Sequence, residues 1–252
     1  MVAFFDCIPP DLRDWLLRQP VFFVASAPST GAHINLSPKG LPAASLAVLS
    51  PTRVAYLDAT GSGNESISHL RENGRMTLMF CSFNASPRIL RLFCTGSVIE
   101  WNEPPFHPML AQMQLADKYV ESARAVMVLD VFKVQTSCGY GVPRLALTTD
   151  PTTNAPKPYL QDRETMGHWA SNKIAKNELH AYQVKMNSDS LDGLPGLRAA
   201  MRERAAGNLL RTMWVDVRIW GCRNRRVIEM VGVMLMSVLM TVAVMREGFL
   251  SV

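Results

Sequence analysis

The sequence predicts a mainly β fold, a barrel or sandwich with flanking helices, and three observations support this class. Seven apolar runs rich in β-branched and aromatic residues occur within the first 137 residues, a pattern typical of strands. Turn residues such as Pro-Ser-Thr-Gly and Ser-Pro-Lys-Gly separate them, which disfavours alternating βα units. The chain has 252 residues, 48% of them hydrophobic, enough for one large domain or for a domain with an appendage.

The elements follow in order along the chain. Pro9, Pro10 and Asp11 precede an apolar pattern of helical spacing, which predicts a short amphipathic helix ending near Pro20. The predicted strands are 21–27, 33–37, 45–50, 53–59, 75–83, 89–101 and 123–137. Helices are predicted at 65–73, where Asn64 can act as the cap, and at 106–118 and 163–187. Residues 145–158, rich in Thr, Pro and Asn, are predicted to form a loop.

Changes of composition divide the chain into three predicted parts. Residues 1–145 contain the strands, and residues 146–197 form a helical segment. Residues 198–252 are an extension, which opens with an Arg-rich helical stretch and ends in an apolar run. The predicted architecture is therefore a β-barrel with flanking helices and a C-terminal helical extension.

Charge and cysteine usage exclude several classes of protein. The net charge is only +5, and it is too dispersed for a nucleic-acid-binding face. Five scattered cysteines without a CxxC pair argue against a disulfide framework and a zinc site, and they favour a reducing compartment such as the cytoplasm. The histidines lack metal-ligand spacing, and no GxSxG nucleophile elbow occurs. The N-terminus does not resemble a signal peptide.

The densest group of unusual residues could hold a phosphate. Ser37-Pro38-Lys39-Gly40 and the segment 60–66, TGSGNES, each follow a predicted strand, and the second opens a helix. Backbone N–H groups at a helix N-terminus bind anions, and the Lys39 ammonium with the Ser62 and Ser66 hydroxyls would complete the cradle. Ordinary turn chemistry with a helix cap explains the same residues, and both interpretations stay open on the residues alone.

A second group, residues 136–143, ends the last long strand. Gly139 and Gly141 flank Tyr140, which indicates either a close-packed loop lining a pocket or a bulge that ends the strand. Cys138 could be a nucleophile, but no histidine has a context that marks it as the base.

Six segments resemble, in order and spacing, the pyridoxamine 5′-phosphate oxidase-like flavoproteins, and more narrowly a bacterial and fungal branch of them. These segments are VFFVASAP, HINLSPKG, RVAYLDATGSGNESISHLRENGRMTLMFCSF, PRILRL, VQTSCGYGVP and NSDSLDGLPGL. The resemblance runs from Ile8 to Leu197. It implies a split β-barrel that forms a homodimer and holds FMN in a cleft between the subunits.

The resemblance also implies a set of cofactor-binding residues. Lys39 would lie toward the flavin phosphate, and Arg91 would come from a strand that the second subunit contributes. The full set carried over is Lys39, Tyr56, Ser62, Gly63, Asn64, Ser66 and Arg91. No catalytic residue is assigned, because hydride or electron chemistry belongs to the flavin ring.

The predicted function is an FMN-dependent oxidoreductase acting on a small organic substrate. Two departures from the family pattern argue against pyridoxamine 5′-phosphate as that substrate. His33 stands where those oxidases carry an arginine, and the segments after the barrel do not resemble their basic-aromatic C-terminal segment. In addition, Glu65 stands where they carry a second basic residue at the helix head, and an acidic side chain near a phosphate is unfavourable. The alternative is a non-catalytic split-barrel protein that binds flavin, deazaflavin or haem, with His33 or His69 as the candidate haem ligand.

The C-terminal run adds a membrane hypothesis. Residues 230–245 carry no charge, and with 227–229 they reach 19 residues, close to the length of a bilayer span. A transmembrane segment is predicted at 228–245, and Arg223, Arg225 and Arg226 before it would keep the barrel on the cytoplasmic side. The alternatives are a buried helix packed on the barrel, a strand, and an incorrectly assigned end of the coding sequence.

Overall fold

The computed structural model describes residues 2–115, 123–161, 165–190 and 195–250. The strands are β1 (Ala3–Phe5), β2 (Val21–Ser26), β3 (Asn35–Gly40), β4 (Leu46–Ser50), β5 (Arg53–Ala59), β6 (Arg75–Cys81), β7 (Ile89–Glu100), β8 (Ala123–Ser137), β9 (Arg144–Thr149) and β10 (Pro156–Gln161). The helices are α1 (Pro10–Leu17), α2 (Pro42–Ser45), α3 (Glu65–Asn73), α4 (Phe106–Met113), α5 (Thr165–Ala175), α6 (Leu179–Asn187), α7 (Arg198–Arg204), α8 (Leu209–Arg223) and α9 (Arg225–Leu250). They form two compact units, residues 1–166 and 167–252.

The first unit is built on one antiparallel sheet with the order β3-β2-β6-β7-β8-β5-β4. Strand β8, 15 residues long, is its spine: β7 pairs along one edge, and β5 and then the short β1 pair along the other. The sheet is curled: Phe22 of β2 and Tyr56 of β5 make an edge-to-face contact although three strands, β6, β7 and β8, lie between β2 and β5 in the sheet order. This curled antiparallel half-barrel with flanking helices confirms the predicted fold class.

Alternation along the strands decides which residues fill the half-barrel. Phe22 and Val24 of β2 are fully buried, whereas Phe23 between them is half-buried on the outer face. Strand β5 is buried on both faces: Val54 and Tyr56 face the main core, while Ala55 and Leu57 pack against Phe106 of α4. Nearly continuous apolar character is typical of a strand covered on both sides.

Helix α3 connects β5 to β6 and lies against the sheet through Leu70, which is buried. It ends at Gly74, whose φ of 71° is the left-handed conformation that favours glycine. Asn64 occupies the N-cap position as expected, but its side chain makes no capping hydrogen bond. The first turn of α3 is therefore left with backbone N–H groups that its cap residue does not satisfy.

Two sequence predictions need correction. Residues 145–158, predicted to be a loop, mostly belong to a hairpin of β9 and β10. Its turn is stabilised by Asp150, whose carboxylate accepts hydrogen bonds from the N–H groups of Thr152 and Thr153. The polar residues that suggested a loop therefore belong to the turn between the two strands. The predicted helix at 163–187, whose first two residues lie outside the described part of the chain, is divided into α5 and α6 near Asn177, which has a φ of 54°.

The second unit is helical, and its longest helix is α9. Within the described residues no helix is long and apolar enough to cross a membrane, so the predicted transmembrane segment at 228–245 is not supported. Arg225, Arg226 and Glu229 lie in the first two turns of α9 and Arg246 and Glu247 near its end. The charge-free stretch between them has 16 residues, about 24 Å of helix against a bilayer core of roughly 30 Å. The three-part division at 145 and 197 stays a prediction.

Candidate functional site

The inner face of β3 carries three polar side chains in a row. Asn35, Ser37 and Lys39 lie opposite Ser26, Val24 and Phe22 of β2, and cross-strand partners share a face of the sheet. All three are half-buried, whereas Leu36 and Pro38 between them are exposed. The pattern is polar inward and apolar outward, the reverse of an ordinary barrel strand, so one end of the half-barrel is lined with polar groups.

A buried carboxylate organises this polar end. Asp58 of β5 is on the same face as Tyr56, and its side chain is 2% exposed. Its Oδ1 accepts from Lys39 Nζ at 2.9 Å, and its Oδ2 accepts from Arg124 Nε at 2.8 Å. Two charge-assisted hydrogen bonds stabilise a carboxylate that would be costly to bury alone. The Lys39 pair also joins β3 at one end of the sheet order to β5 near the other end, which helps to hold the curl.

Arg124 links this carboxylate to the loop before α3. Its guanidinium donates to the carbonyl oxygen of Gly61 at 3.2 Å and also to that of Gly63. The loop 60–64 is exposed, including Ser62 and Asn64. One arginine therefore fixes the position of the glycine-serine segment that opens the helix.

The two cations are accessible from solvent, unlike Asp58. Lys39 and Arg124 have side chains 26% and 23% exposed. The cluster therefore holds two reachable positive charges against one buried negative charge. Glu65 opposes them from the first turn of α3, where its carboxylate occupies the space that a Cβ added to Gly63 would need. A carboxylate at this position stabilises the helix N-terminus.

A chain of buried hydrogen bonds continues inward from the cluster. Asn35 Nδ2 donates to Ser66 Oγ at 3.0 Å and to Ser26 Oγ at 3.3 Å. Ser26 Oγ lies 2.9 Å from Nδ1 of His69, which is 6% exposed. His69 is thus a buried, hydrogen-bonded side chain, while His33 is exposed with its ring centroid 6.3 Å away.

Tyr56 forms the apolar wall behind the cluster. It is fully buried, and the Lys39 ammonium lies 6.0 Å from its ring centroid. Burial raises the pKa of Tyr56 strongly, and the negative charge of Asp58 raises it further, while hydrogen bonding with Ser66 and the charge of Arg124 oppose the shift. The phenol therefore stays protonated across the physiological pH range.

Arg91 does not join this cluster within one chain. It follows Leu90, which shares the inner face with Phe22 and Phe80, so Arg91 projects from the outer face. There it lies 3.4 Å from both Gln135 Oε1 and Ser137 Oγ. Its cross-strand row includes Met79 and Phe23, both half-buried.

The segment 136–143 lines a separate cleft. Thr136, Ser137, Cys138 and Tyr140 border a cavity of about 400 Å³ together with Arg88 and residues of α1. An added Cβ on Gly139 would lie 2.7 Å from the Arg88 backbone nitrogen, so this is a close-packed loop at a pocket. Another cavity, of about 310 Å³, opens on the outer face of the sheet beside Phe93 and Phe132. Neither of these two cavities is lined by Lys39 or Asp58.

Of the predicted site residues, Lys39, Tyr56 and Ser66 come together at the polar end, and Ser62, Gly63 and Asn64 lie on the loop that Arg124 holds. Sequence reasoning missed Asp58, Arg124 and Asn35. A signal for Asp58 was present: it stands two residues after Tyr56 in an apolar strand, so it shares the buried face and needs a cation. Nothing in the local sequence marks Arg124 as that cation. In the described residues no three His, Cys, Asp or Glu side chains are grouped to hold a metal.

Comparison with known proteins identifies the family of this chain. The family model described as pyridoxamine 5′-phosphate oxidase matches residues 8–138. The chain belongs to the pyridoxamine 5′-phosphate oxidase family. It is also 54% identical over 245 residues, 96% of both chains, to the pyridoxamine 5′-phosphate oxidase family protein ustO of Aspergillus flavus. An alignment of that length includes most of the segment after Leu197.

Several solved structures resemble this chain over about half of its length. HupZ from Group A Streptococcus is 17% identical with a TM-score of 0.39, over 50% of this chain and 91% of that one. The heme storage protein HutZ from Vibrio cholerae is 12% identical with a TM-score of 0.37, and the match covers 50% of this chain and 90% of HutZ. An FMN-binding protein from Syntrophomonas wolfei is 12% identical with a TM-score of 0.35, and the match covers 49% of this chain and 87% of that protein.

Proposed function

We propose that this protein binds FMN at the polar end of the half-barrel and acts as an FMN-dependent oxidoreductase on a small organic substrate. The observation that carries the proposal is the convergence of Lys39 and Arg124, both reachable from solvent, beside the exposed loop that opens α3. Membership in the pyridoxamine 5′-phosphate oxidase family supports a flavin phosphate as the anion.

The residues present fit a phosphate group. The two cations exceed the charge of Asp58 by one, and the adjacent N-terminus of α3 offers backbone donors and a partial positive charge. Arg124 contacts the loop only through carbonyl oxygens, so the N–H groups of Ser62 and Asn64 are not used by that contact. The one unfavourable group is the Glu65 carboxylate, which must turn away from Gly63 when an anion binds.

The chain's own residues then bind and orient the cofactor. Asp58 holds Lys39 and Arg124 at fixed positions, so neither cation must be ordered at the moment of binding. Tyr56 and Phe22 exclude water behind them, because both are fully buried. FMN, when bound, supplies hydride and electron transfer through its ring, so the protein needs no strong acid or base at this site.

The outer face favours a homodimer as the working form. Arg91 there has apolar side chains on one side, with Phe23 and Met79 in its row and Leu36 exposed on the neighbouring row, and polar Gln135 on the other side. A second copy packed on this face would bury the apolar rows and bring its own Arg91 toward the first copy. The cleft between the copies would admit the substrate.

The cofactor proposal is tested by reconstitution of the full chain with FMN, followed by gel filtration and an absorbance spectrum. Retention of flavin bands near roughly 370 and 450 nm at about one FMN per chain is expected, and reduction by NAD(P)H with turnover would establish an enzyme. A colourless protein after reconstitution would overturn the flavin assignment, and a Soret band on exposure to haem instead would favour the binding-protein alternative.

Arg124→Gln and Arg53→Gln form a matched pair for this test. Both arginines bridge β5 and β8 by pairing with an aspartate, but the Arg53–Asp130 pair is more than half exposed and lies at the other end of β5. Flavin retention should fall in Arg124→Gln and stay at the wild-type level in Arg53→Gln. Equal retention in both variants would remove Arg124 from the site.

A further inference from the structure

A cleft in the second unit has the lining of a site for an organic anion. It lies between α7 and α8 and has a volume of about 400 Å³. Its floor is apolar and is made by Met201, Ala205 and Val215, all of them buried. Its sides carry Trp214 and three arginines, Arg204, Arg211 and Arg218.

Helical spacing puts the α8 groups on one face. Trp214, Val215 and Arg218 follow Arg211 by three, four and seven residues. At this spacing their side chains form a stripe along two turns of the helix. Trp214 is 61% exposed although it borders an apolar floor. The cleft thus offers an aromatic surface with a guanidinium at each end.

The charge in the cleft is strongly unbalanced. Asp189 pairs with Arg204 and, at 3.2 Å, with Arg218, and the hydrogen bond from Arg204 lowers the pKa of Asp189, which keeps it ionised. Asp216 pairs with Arg198 and Arg202, and these three do not line the cleft. Among the residues that the structure describes, Arg211 has no ion pair.

The whole excess of positive charge belongs to this part of the chain. Residues 198–252 contain nine Lys and Arg against four Asp and Glu, so the net charge of +5 lies entirely within them. The barrel side of the chain is neutral by the same count. An anion that approaches the second unit therefore meets an attractive field, which the ion pairs on α7 and α8 reduce but do not cancel.

We propose that this cleft binds a small organic anion in which a carboxylate is attached to an aromatic ring. The ring would lie on the apolar floor against Trp214, and the carboxylate would accept paired hydrogen bonds from Arg211, for which guanidinium geometry is suited. A cavity of about 400 Å³ is in the range of small-molecule sites. This proposal is independent of the flavin, since every lining residue belongs to the second unit.

Titration calorimetry on the full chain with 1-naphthoate tests it, with 1-naphthalenemethanol as a neutral analogue and inorganic phosphate as a bare anion. Naphthoate should bind at least tenfold more tightly than either. Arg211→Gln should weaken naphthoate binding at least tenfold, and Trp214→Leu should weaken it severalfold. Because Arg211 has no described ion pair, its replacement should leave thermal unfolding unchanged, which separates lost binding from lost folding.

Two control variants complete the test. Arg202→Gln removes a guanidinium of the same unit that does not line the cleft, and Lys39→Met alters the barrel; naphthoate affinity should stay at the wild-type level in both. Lost affinity in Lys39→Met would place naphthoate in the barrel and overturn the proposal. Equal affinity of wild type and Arg211→Gln, equal binding of the neutral analogue, or equal binding of inorganic phosphate would also overturn it.

Discussion

Replacement of Asp58 by Asn tests the organising role of the buried carboxylate. The change keeps the shape of the side chain but removes the charge that both Lys39 and Arg124 contact, at 2.9 and 2.8 Å. It also turns an amide N–H₂ toward one of two cations that can only donate. A hydrogen bond to a charged group contributes roughly 1.5–3 kcal/mol; one is lost outright, and the other keeps an amide oxygen as acceptor but loses the carboxylate charge.

That sum must be reduced because the cations regain water. About a quarter of each cationic side chain is already exposed, so Lys39 and Arg124 can be rehydrated without large rearrangement. We therefore expect the free energy of unfolding to fall by about 2–4 kcal/mol. For a unit of this size, this corresponds to a midpoint lower by roughly 5–15 °C.

Thermal unfolding followed by near-ultraviolet circular dichroism measures this midpoint. Asp130→Asn is the matched control, because it removes the partner of Arg53 from the same pair of strands at an exposed position, where ion pairs contribute little. A midpoint in Asp58→Asn that equals the midpoint in Asp130→Asn would refute the reasoning, since burial would then make no difference.

Three further predictions concern the barrel. Gly139→Ala should lower the unfolding midpoint, because the added Cβ would lie 2.7 Å from the Arg88 backbone nitrogen. Gly141→Ala should not lower it, because nothing lies within 4 Å of the added Cβ; equal midpoints in the two variants would show that the backbone around Gly139 shifts at no cost in stability. Burial raises the pKa of Tyr56 above its ordinary value of 10.0, so the free energy of unfolding should decrease as pH rises above 10. An absorbance titration of the phenolates should show one tyrosine that ionises only on unfolding, and five tyrosines titrating together in the folded protein would contradict this. Arg91→Glu should increase the monomer fraction in analytical ultracentrifugation, and an unchanged fraction would exclude the outer face as the interface.

The sequence predicted the barrel well because local signals were consistent there. Short β-branched runs between Pro- and Gly-containing turns correspond to β2, β5, β6, β7 and β8, and the glycine-terminated α3 is where its pattern indicated. The hairpin at 144–161 was missed because its strands contain two prolines and many polar residues, and such strands do not show apolar alternation.

The site was predicted only in part, because its main interactions are long-range. Lys39 and the segment 60–66 are visible as unusual residues next to turns. The pairing of Asp58 with both Lys39 and Arg124, 19 and 66 residues away, depends on how far the sheet curls, and no local pattern encodes that. The apolar composition of residues 230–245 resembles a membrane span, but among the described residues no helix is long and apolar enough to cross a membrane.

The most direct test of the account compares the affinities of FMN and riboflavin, which differ only in the phosphate. If Lys39 and Arg124 hold that group, wild-type protein should bind FMN at least roughly 100-fold more tightly, the effect expected of two charge-assisted contacts. This preference should fall in Lys39→Met and in Arg124→Gln, and it should persist in Arg53→Gln. Equal affinity of the wild type for FMN and riboflavin would contradict the assignment of the phosphate to this pair.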